Sequence, residues 1–163
     1  MPPTNSSAPP ETTPGRDRGA ATAGRIAWHC TSFNLRRASR AVGQIYDAAL
    51  RPCGLRITQF SLLGAVETTE PTTVGDLALL LEIDRTTLTR NLKTIENIGL
   101  IEISRGRDRR ERRIAATADG RAVMARAKPL WRAAQDRIIG DLGAARWRRL
   151  IDDLDALAGL DES

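Results

Sequence analysis

Apolar residues recur at intervals of three and four along most of the chain, and this spacing indicates amphipathic helices. A first helix is expected over residues 33–50, and Pro52 and Gly54 end it because both residues interrupt helices. Thr58 is a candidate N-cap residue for the second helix, which Pro71 closes. The pattern therefore predicts two helices in this part of the chain.

Two further amphipathic segments follow at residues 74–81 and 85–98, with about three residues between them. Thr73 and Asp84 precede these segments and can cap their first turns, since short polar side chains accept hydrogen bonds from free N–H groups. Gly99 stands where a helix usually stops. Such closely spaced helices are typical of a helix-turn-helix unit.

An arginine-rich stretch lies between two short segments that have the pattern of β-strands. LIEIS at residues 100–104 alternates in polarity, and ERRIAA at 111–116 is its expected antiparallel partner. Residues 105–113 hold six arginines and two acids, and so carry four of the net five positive charges of the chain. An excess this localised favours a polyanionic partner, although a charged hairpin tip in an arginine-rich protein is the plainer alternative.

Apolar stripes resume after Thr117. One covers residues 123–138, and a second covers residues 147–157 beyond a break at Gly143. Together with the first helix, these segments offer more apolar surface than one small domain needs, which indicates a partner subunit. The chain is therefore expected to be mainly α-helical with one small β-hairpin.

The polar face of the helix at 85–98 carries side chains that can contact bases and phosphates. Thr86, Arg90 and Lys93 follow one another at helical spacing, and Arg85 and Thr89 flank that row. A solvated helix face could look the same. The tight helix pair before it and the basic hairpin after it favour a DNA-binding surface, because a helix fits the major groove.

Three stretches together resemble the MarR family of bacterial winged helix-turn-helix regulators. They are YDAALRPCGLRITQFSLL, TVGDLALLLEIDRTTLTRNLKTIENIGLIE and RDRRERRIAATADGR. The last contains the family's wing pattern, D-x-R followed by a strand and T-x-x-G, at Asp108, Arg110, Thr117 and Gly120. Ala116 departs from the pattern, since leucine is common there.

The resemblance implies a homodimer that binds double-stranded DNA at an inverted-repeat operator and usually represses nearby genes. The fold it implies is mainly α with a small β-hairpin wing, combining a winged helix-turn-helix domain with a helical dimerisation region. We expect a disordered tail at 1–24, an N-terminal dimerisation helix region at 25–55, the winged helix-turn-helix domain at 56–117 and C-terminal dimerisation helices at 118–163.

The resemblance also implies which residues contact DNA. Arg110 would enter the minor groove, Asp108 would hold the wing arginines in position, and Arg107 and Arg109 would flank them. The residues implied for the major groove and its phosphates all lie on the helix at 85–98: Arg85, Thr86, Thr87, Thr89 and Arg90. Lys93, on the polar face of the same helix, is expected to contact DNA with them.

Regulators of this family respond to small aromatic acids or to oxidants. Trp28, His29, Phe33 and Arg37 could hold an aromatic carboxylate near the start of the first helix, although each could equally be a packing or solvated residue. Cys30 is a candidate oxidant sensor, because it lies at an expected helix N-terminus close to basic residues. A small core residue is the alternative for this cysteine.

Other classes of protein are less compatible with the chain. Two cysteines and one histidine cannot make a four-ligand structural zinc site within one chain. The sequence shows no catalytic triad or phosphate loop, and we expect neither an enzyme nor a cofactor. No apolar run reaches the ~18–20 residues of a membrane span. A cytoplasmic bacterial protein is expected. Two alternatives remain: a non-specific architectural nucleic-acid binder and a protein-interaction module. Measuring the affinity for the gene's own upstream DNA would separate them.

Overall fold

The structure is a computed structural model that describes residues 29–105 and 112–162. Within these ranges it has six α-helices: α1 Thr31–Leu50, α2 Ile57–Thr69, α3 Val74–Leu80, α4 Arg85–Asn97, α5 Ala118–Leu142 and α6 Ala144–Ala158. The strands described are β1 Thr72–Thr73, β2 Ile101–Arg105 and β3 Arg112–Ala116, and short 3-10 turns cover Arg51–Cys53 and Gly159–Glu162. The fold class expected from the sequence is confirmed, whereas the predicted domain boundaries and the tail at 1–24 stay predictions.

The N-caps of the helix-turn-helix unit are those that the sequence predicts. The Asp76 N–H donates to Thr73 Oγ1 over 3.2 Å at the start of α3. At the start of α4, the Thr87 N–H donates to Asp84 Oδ1 over 2.8 Å. Gly99, with φ of 76°, follows α4 in the left-handed conformation that glycine adopts most easily. Both helices are therefore fixed by residues within three positions of their ends.

The prediction that Thr58 caps α2 is wrong. The helix begins at Ile57, so Thr58 already lies in its first turn. Two other side chains satisfy the free N–H groups: Gln59 Oε1 accepts from Arg56 N over 2.9 Å, and Asp47 Oδ1 accepts from Ile57 N over 2.7 Å. The second contact comes from α1, so the start of α2 is defined partly by a neighbouring helix.

The hydrophobic core lies where α2, α3 and α4 meet the sheet and the first turns of α5. The predicted inward face of α4 is confirmed, since Leu88, Leu92 and Ile95 are each at most 1% exposed. Other fully buried side chains come from each neighbouring element: Leu50, Leu63, Val66, Leu77, Ile114 and Met124. Each such side chain contributes about 1.5–3 kcal/mol by leaving water. The core therefore fixes the position of α4 firmly.

The sheet contains a strand that the sequence does not reveal. Its order is β1-β3-β2, with both neighbours antiparallel to β3. The missed strand β1 pairs Thr72 with Ile114 and Thr73 with Arg113. Two residues are too few to show an alternating pattern. The hairpin is thus attached along one side to the segment that leads into α3.

An aromatic stack joins α1, α2 and α5 within residues 42–162. Trp131 lies between Tyr46, at a ring-centroid distance of 6.4 Å, and Phe60, at 5.7 Å. The Tyr46 hydroxyl donates to Gln135 Oε1. Burial raises the pKa of Tyr46, since a low-dielectric setting disfavours the phenolate. The stack packs the C-terminal half of α1 against the long helix α5.

Helix α6 has no buried residue in the single chain. Its apolar stripe is open to solvent, with Leu150 42%, Ile151 37% and Leu157 39% exposed. Helix α1 is similar, since only Leu50 is buried along its length. No helix in the part of the chain that the structure describes is long and apolar enough to cross a bilayer.

Candidate nucleic-acid interface

The space between α4 and the β2–β3 hairpin forms a concave surface that encloses a volume of about 1140 Å³. Its basic lining residues come from both elements: Arg85, Arg90, Lys93, Arg105 and Arg112. The one acid in its described lining is Glu96, whose Oε2 lies 2.9 Å from Lys93 Nζ. The surface is therefore strongly positive, as a site for a phosphate backbone must be.

The exposed face of α4 carries most of the residues that the sequence assigns to it. Thr86, Thr89, Arg90 and Lys93 are exposed and line the concave surface. Thr87 differs, because it is half-buried and absent from that lining. Its N–H instead donates a hydrogen bond to Asp84, the N-cap residue of α4. With Arg85, five of the six residues predicted on this helix therefore line the concave surface, and Thr87 does not.

The cap at Asp84 is held in its ionised form. Hydrogen bonds from Thr87, first from its side chain and then from its backbone N–H, hold the pKa of Asp84 below its usual value. The charged carboxylate also complements the positive end of the α4 dipole. The helix that faces the concave surface is therefore stabilised at its start over the whole neutral pH range.

Individual side chains on α4 make different contacts. The Arg85 guanidinium lies over the first turn of α3, where a Cβ added to Gly75 would be 3.2 Å from Nη2. Thr89 Oγ1 donates to Arg85 O over 2.7 Å, which leaves its oxygen free to accept. The Lys93 side chain is 65% exposed, so its ion pair with Glu96 contributes little stability. A phosphate can therefore replace Glu96 as the partner of Lys93.

The hairpin supplies the other wall of this surface. Arg105 pairs in register with Arg112 at the end farthest from the core, and both side chains are exposed. Arg112 lines the concave surface, whereas Arg113 is not among the residues that line it. The predicted wing contacts at Arg107, Asp108, Arg109 and Arg110 lie outside the described residues, so their roles stay predictions.

The T-x-x-G part of the wing pattern is a structural junction. Thr117 Oγ1 donates to Gly99 O over 2.7 Å and accepts from Gly120 N over 3.0 Å. The Thr117 N–H donates to Leu100 O over 3.1 Å. Gly120 packs so closely on this carbonyl that a Cβ would lie 2.1 Å from its oxygen. This junction joins the start of α5 to the base of the hairpin.

The residues predicted to hold a ligand lie at the start of α1, as far as the structure describes them. His29, Cys30 and Arg37 are exposed, Phe33 is 41% exposed, and Trp28 lies outside the described residues. A depression of about 370 Å³ on the same helix is lined by other residues: Leu35, Arg36, Ser39 and Arg40. The ligand and redox assignments remain predictions.

Comparisons with known proteins agree with this geometry. The sequence profile of the MarR family matches residues 54–111. The M. tuberculosis transcriptional regulator MosR in complex with DNA is 41% identical with a TM-score of 0.74, over 82% of this chain and 97% of that one. The repressor CouR of Rhodococcus jostii RHA1, bound to a 23-mer DNA duplex, is 28% identical with a TM-score of 0.73, over 82% and 95%.

A curated relative, the HTH-type transcriptional regulator YwoH of Bacillus subtilis strain 168, is 27% identical over 85 residues. The chain spans 62% of the length of that relative. The fold and the basic concave surface define a winged helix DNA-binding protein. The extent and identity of the match to MosR then show that the chain belongs to the MarR family of DNA-binding transcriptional regulators.

Proposed function

We propose that the protein is a sequence-specific repressor that binds an inverted-repeat operator as a homodimer and is released by a small aromatic ligand. The observation that carries the proposal is the concave basic surface shared by α4 and the hairpin. A helix and a hairpin that flank one positive groove can engage adjacent major and minor grooves of the same duplex. A merely solvated helix face would not need the second wall.

Helix α4 is the element proposed to enter the major groove. A helix is ~10–12 Å wide and the groove ~12 Å, so the exposed face of α4 can approach the base edges. Arg90 lies in the middle of that face and can make a two-pronged contact with guanine. Arg85 and Lys93 lie toward the ends of the row and are suited to the phosphates on either side.

Arg90→Ala is expected to weaken binding to the operator by about tenfold and binding to random DNA by much less, because a base contact contributes only in the specific complex. Fluorescence anisotropy with the gene's upstream DNA and a scrambled duplex measures both affinities. Lys93→Ala is the comparison variant, with a similar loss on both duplexes. Equal losses for Arg90→Ala would make Arg90 a phosphate contact.

The wing arginine is the second proposed contact. Arg110 lies in the sequence between Arg105 and Arg112, which pair in the hairpin, and Asp108 is proposed to hold the neighbouring arginines in position. Narrow A·T tracts concentrate negative potential in the minor groove and attract an inserted arginine. Arg107 and Arg109 would remain closer to the phosphates.

Arg110→Ala is expected to weaken operator binding at least ~tenfold and to reduce the dependence of affinity on salt, since fewer counterions are released. Affinity is measured by anisotropy between about 50 and 200 mM salt, where the number of phosphate contacts sets the slope. Arg113→Ala is the control, because Arg113 does not line the concave surface. Unchanged affinity for Arg110→Ala at moderate salt would remove the wing assignment.

The homodimer is proposed from the exposed apolar stripe of α6 and from the order of its charges. Its first half carries Arg146 and Arg148, and its second half carries Asp153 and Asp155. This order opposes the helix dipole, which favours acids at the start and bases at the end. A two-fold axis near Leu150 would place the basic half of each copy against the acidic half of the other.

Release by an aromatic ligand is proposed from the residues at the start of α1. His29, Phe33 and Arg37, with Trp28 before them, combine an apolar surface with a positive charge. The relative CouR, 27% identical, has been solved bound to p-coumaroyl-CoA. An aromatic carboxylate or its thioester is therefore the ligand class to test first, by thermal shift of the protein and by loss of operator binding.

An oxidant-sensing repressor is the alternative, and the free, exposed thiol of Cys30 is the observation that favours it. Access to solvent is a requirement for a thiol that reacts with peroxides. Operator binding measured with and without organic hydroperoxide, in the wild type and in Cys30→Ser, distinguishes this alternative from ligand release.

A further inference from the structure

Glu70 forms contacts with two elements that are distant in sequence. It follows α2 directly, and its side chain is 22% exposed. Oε2 accepts a hydrogen bond from the Ala116 N–H of β3 over 2.8 Å. Oε1 forms a close ion pair with Arg121 Nη1 in α5. One carboxylate therefore joins the end of α2, the base of the hairpin and the first turns of the long helix.

The register of the sheet explains why a side chain is needed here. Strand β1 pairs Thr72 with Ile114, and the same register carried back two residues places Glu70 opposite Ala116. Pro71, between them, has no N–H to donate. The Glu70 carboxylate extends the contact beyond the end of the β1 ladder. Without it, the Ala116 N–H would lack its protein acceptor.

On the side that faces β2, the same end of β3 is held by a backbone hydrogen bond. The Thr117 N–H donates to Leu100 O, and successive N–H groups of a strand point to opposite sides. The base of the hairpin is thus fixed on the β2 side by a backbone bond and on the β1 side by the Glu70 carboxylate. These two contacts together oppose rotation of the hairpin at its base.

The hairpin amplifies any movement at this point. From Ala116 to Arg112 the strand advances by four residues, or about 13–14 Å, so a rotation of ~10° at the base would displace the far end by ~2.4 Å. A shift of that size breaks hydrogen bonds, which need donor–acceptor distances of about 2.7–3.2 Å. DNA contacts made at the far end are therefore sensitive to the base.

We propose that Glu70 is a positioning residue that sets the angle of the hairpin against α4, and that its ion pair with Arg121 transmits movement of α5 to the hairpin. The inference rests on the proposed function, in which the hairpin contacts DNA. The inference adds the series of contacts that links α5 to the DNA-binding surface. Helix α5 contacts Glu70, Glu70 contacts β3, and Arg112 of β3 lines the concave surface. Glu70 itself does not line that surface.

The chain contains a matched control for this bridge. Glu67, one turn earlier on α2, pairs with Lys128 of α5 over 2.6 Å. Its side chain is 20% exposed, against 22% for Glu70. Both ion pairs join α2 to α5, and of the two acids only Glu70 also bonds the hairpin. Removing each acid in turn separates the positioning role from general stabilisation.

The experiment compares Glu70→Ala, Glu70→Gln and Glu67→Ala in the full chain. Glu70→Ala is expected to weaken operator binding by about tenfold and to reduce its salt dependence, because the hairpin is then no longer held at the angle that brings its arginines to the DNA. Glu67→Ala should bind within about twofold of the wild type, since its partly exposed ion pair with Lys128 contributes little and does not involve the hairpin. Glu70→Gln keeps an acceptor for Ala116 and should recover most of the affinity.

Amide hydrogen exchange followed by NMR supplies a second readout that a general loss of stability would not produce. In Glu70→Ala the Ala116 amide should exchange faster, while the Thr117 amide, held by Leu100 O, should keep its protection. Glu70→Gln should protect both amides. In Arg121→Ala the Ala116 amide should stay protected, because only the ion pair is lost.

Two results would overturn the inference. One is equal loss of operator affinity in Glu70→Ala and Glu67→Ala, which would make both acids general stabilisers. The other is unchanged affinity in Glu70→Ala while Arg110→Ala still loses at least tenfold. In that case the hairpin contacts DNA as proposed without needing Glu70. Failure of the proposed function is recognisable separately, because Arg110→Ala would then bind like the wild type.

Discussion

Gly120→Ala is expected to lower the free energy of unfolding by about 3 kcal/mol, the upper part of the range for a clash in a packed interior. The added Cβ would lie 2.1 Å from the Leu100 oxygen and 3.1 Å from its carbonyl carbon. Both atoms belong to the backbone, which cannot rotate away as a side chain could. Either the start of α5 or the base of the hairpin must move.

Gly140→Ala is the matched control for this substitution. Gly140 lies in the same helix and is exposed, and a Cβ there would meet nothing within 4 Å. Alanine should therefore raise stability there, by up to ~1 kcal/mol from helix propensity. Urea unfolding followed by circular dichroism measures both variants. If the free energy of unfolding of Gly120→Ala equals that of Gly140→Ala, the junction tolerates a side chain.

The same junction shows how far sequence reasoning reaches. Thr117 and Gly120 are visible in the sequence as part of a family pattern, but the pattern does not say what they do. Their roles depend on Gly99 O and Leu100 O, which lie 18 and 20 positions earlier in the chain. The caps at Thr73 and Asp84 are predictable, because each satisfies an N–H within three residues of itself.

Contacts that bridge distant segments escape sequence reasoning for a physical reason. Asp47 bonds the start of α2 across ten positions, and Glu70 bonds Ala116 across 46. Neither contact leaves a periodic or local signal, because the partners meet only after the helices have packed. The exposed row of α4 is predictable since its apolar face is periodic, whereas the half-burial of Thr87 depends on neighbouring packing.

Leu150→Asp is expected to convert the protein to a monomer and to weaken operator binding by about 100-fold or more, because two linked DNA contacts bind that much more tightly than one. Leu150 is 42% exposed in the single chain and lies at the centre of the α6 stripe. A charge placed there cannot be buried against a second copy without a partner. Sedimentation velocity gives the oligomeric state and anisotropy gives the affinity. A dimeric Leu150→Asp protein would exclude α6 from the interface.

The charge order of α6 allows a sharper test of how the two copies are arranged. Arg146→Glu with Arg148→Glu should weaken the dimer, since two acids would then face Asp153 and Asp155 of the second copy. Asp153→Arg with Asp155→Arg should weaken it equally. The chain carrying all four changes has the native net charge and restores an attractive antiparallel pairing, so it should dimerise with itself and, like the wild type, bind the operator.

A parallel pairing of α6 predicts the opposite preference, because each residue would then face the same residue of the second copy. The four-change chain would gain nothing over the wild type, and mixed dimers of the two chains would be preferred. Mass spectrometry of mixed wild-type and four-change chains therefore decides the arrangement, with homodimers alone expected for the antiparallel two-fold interface.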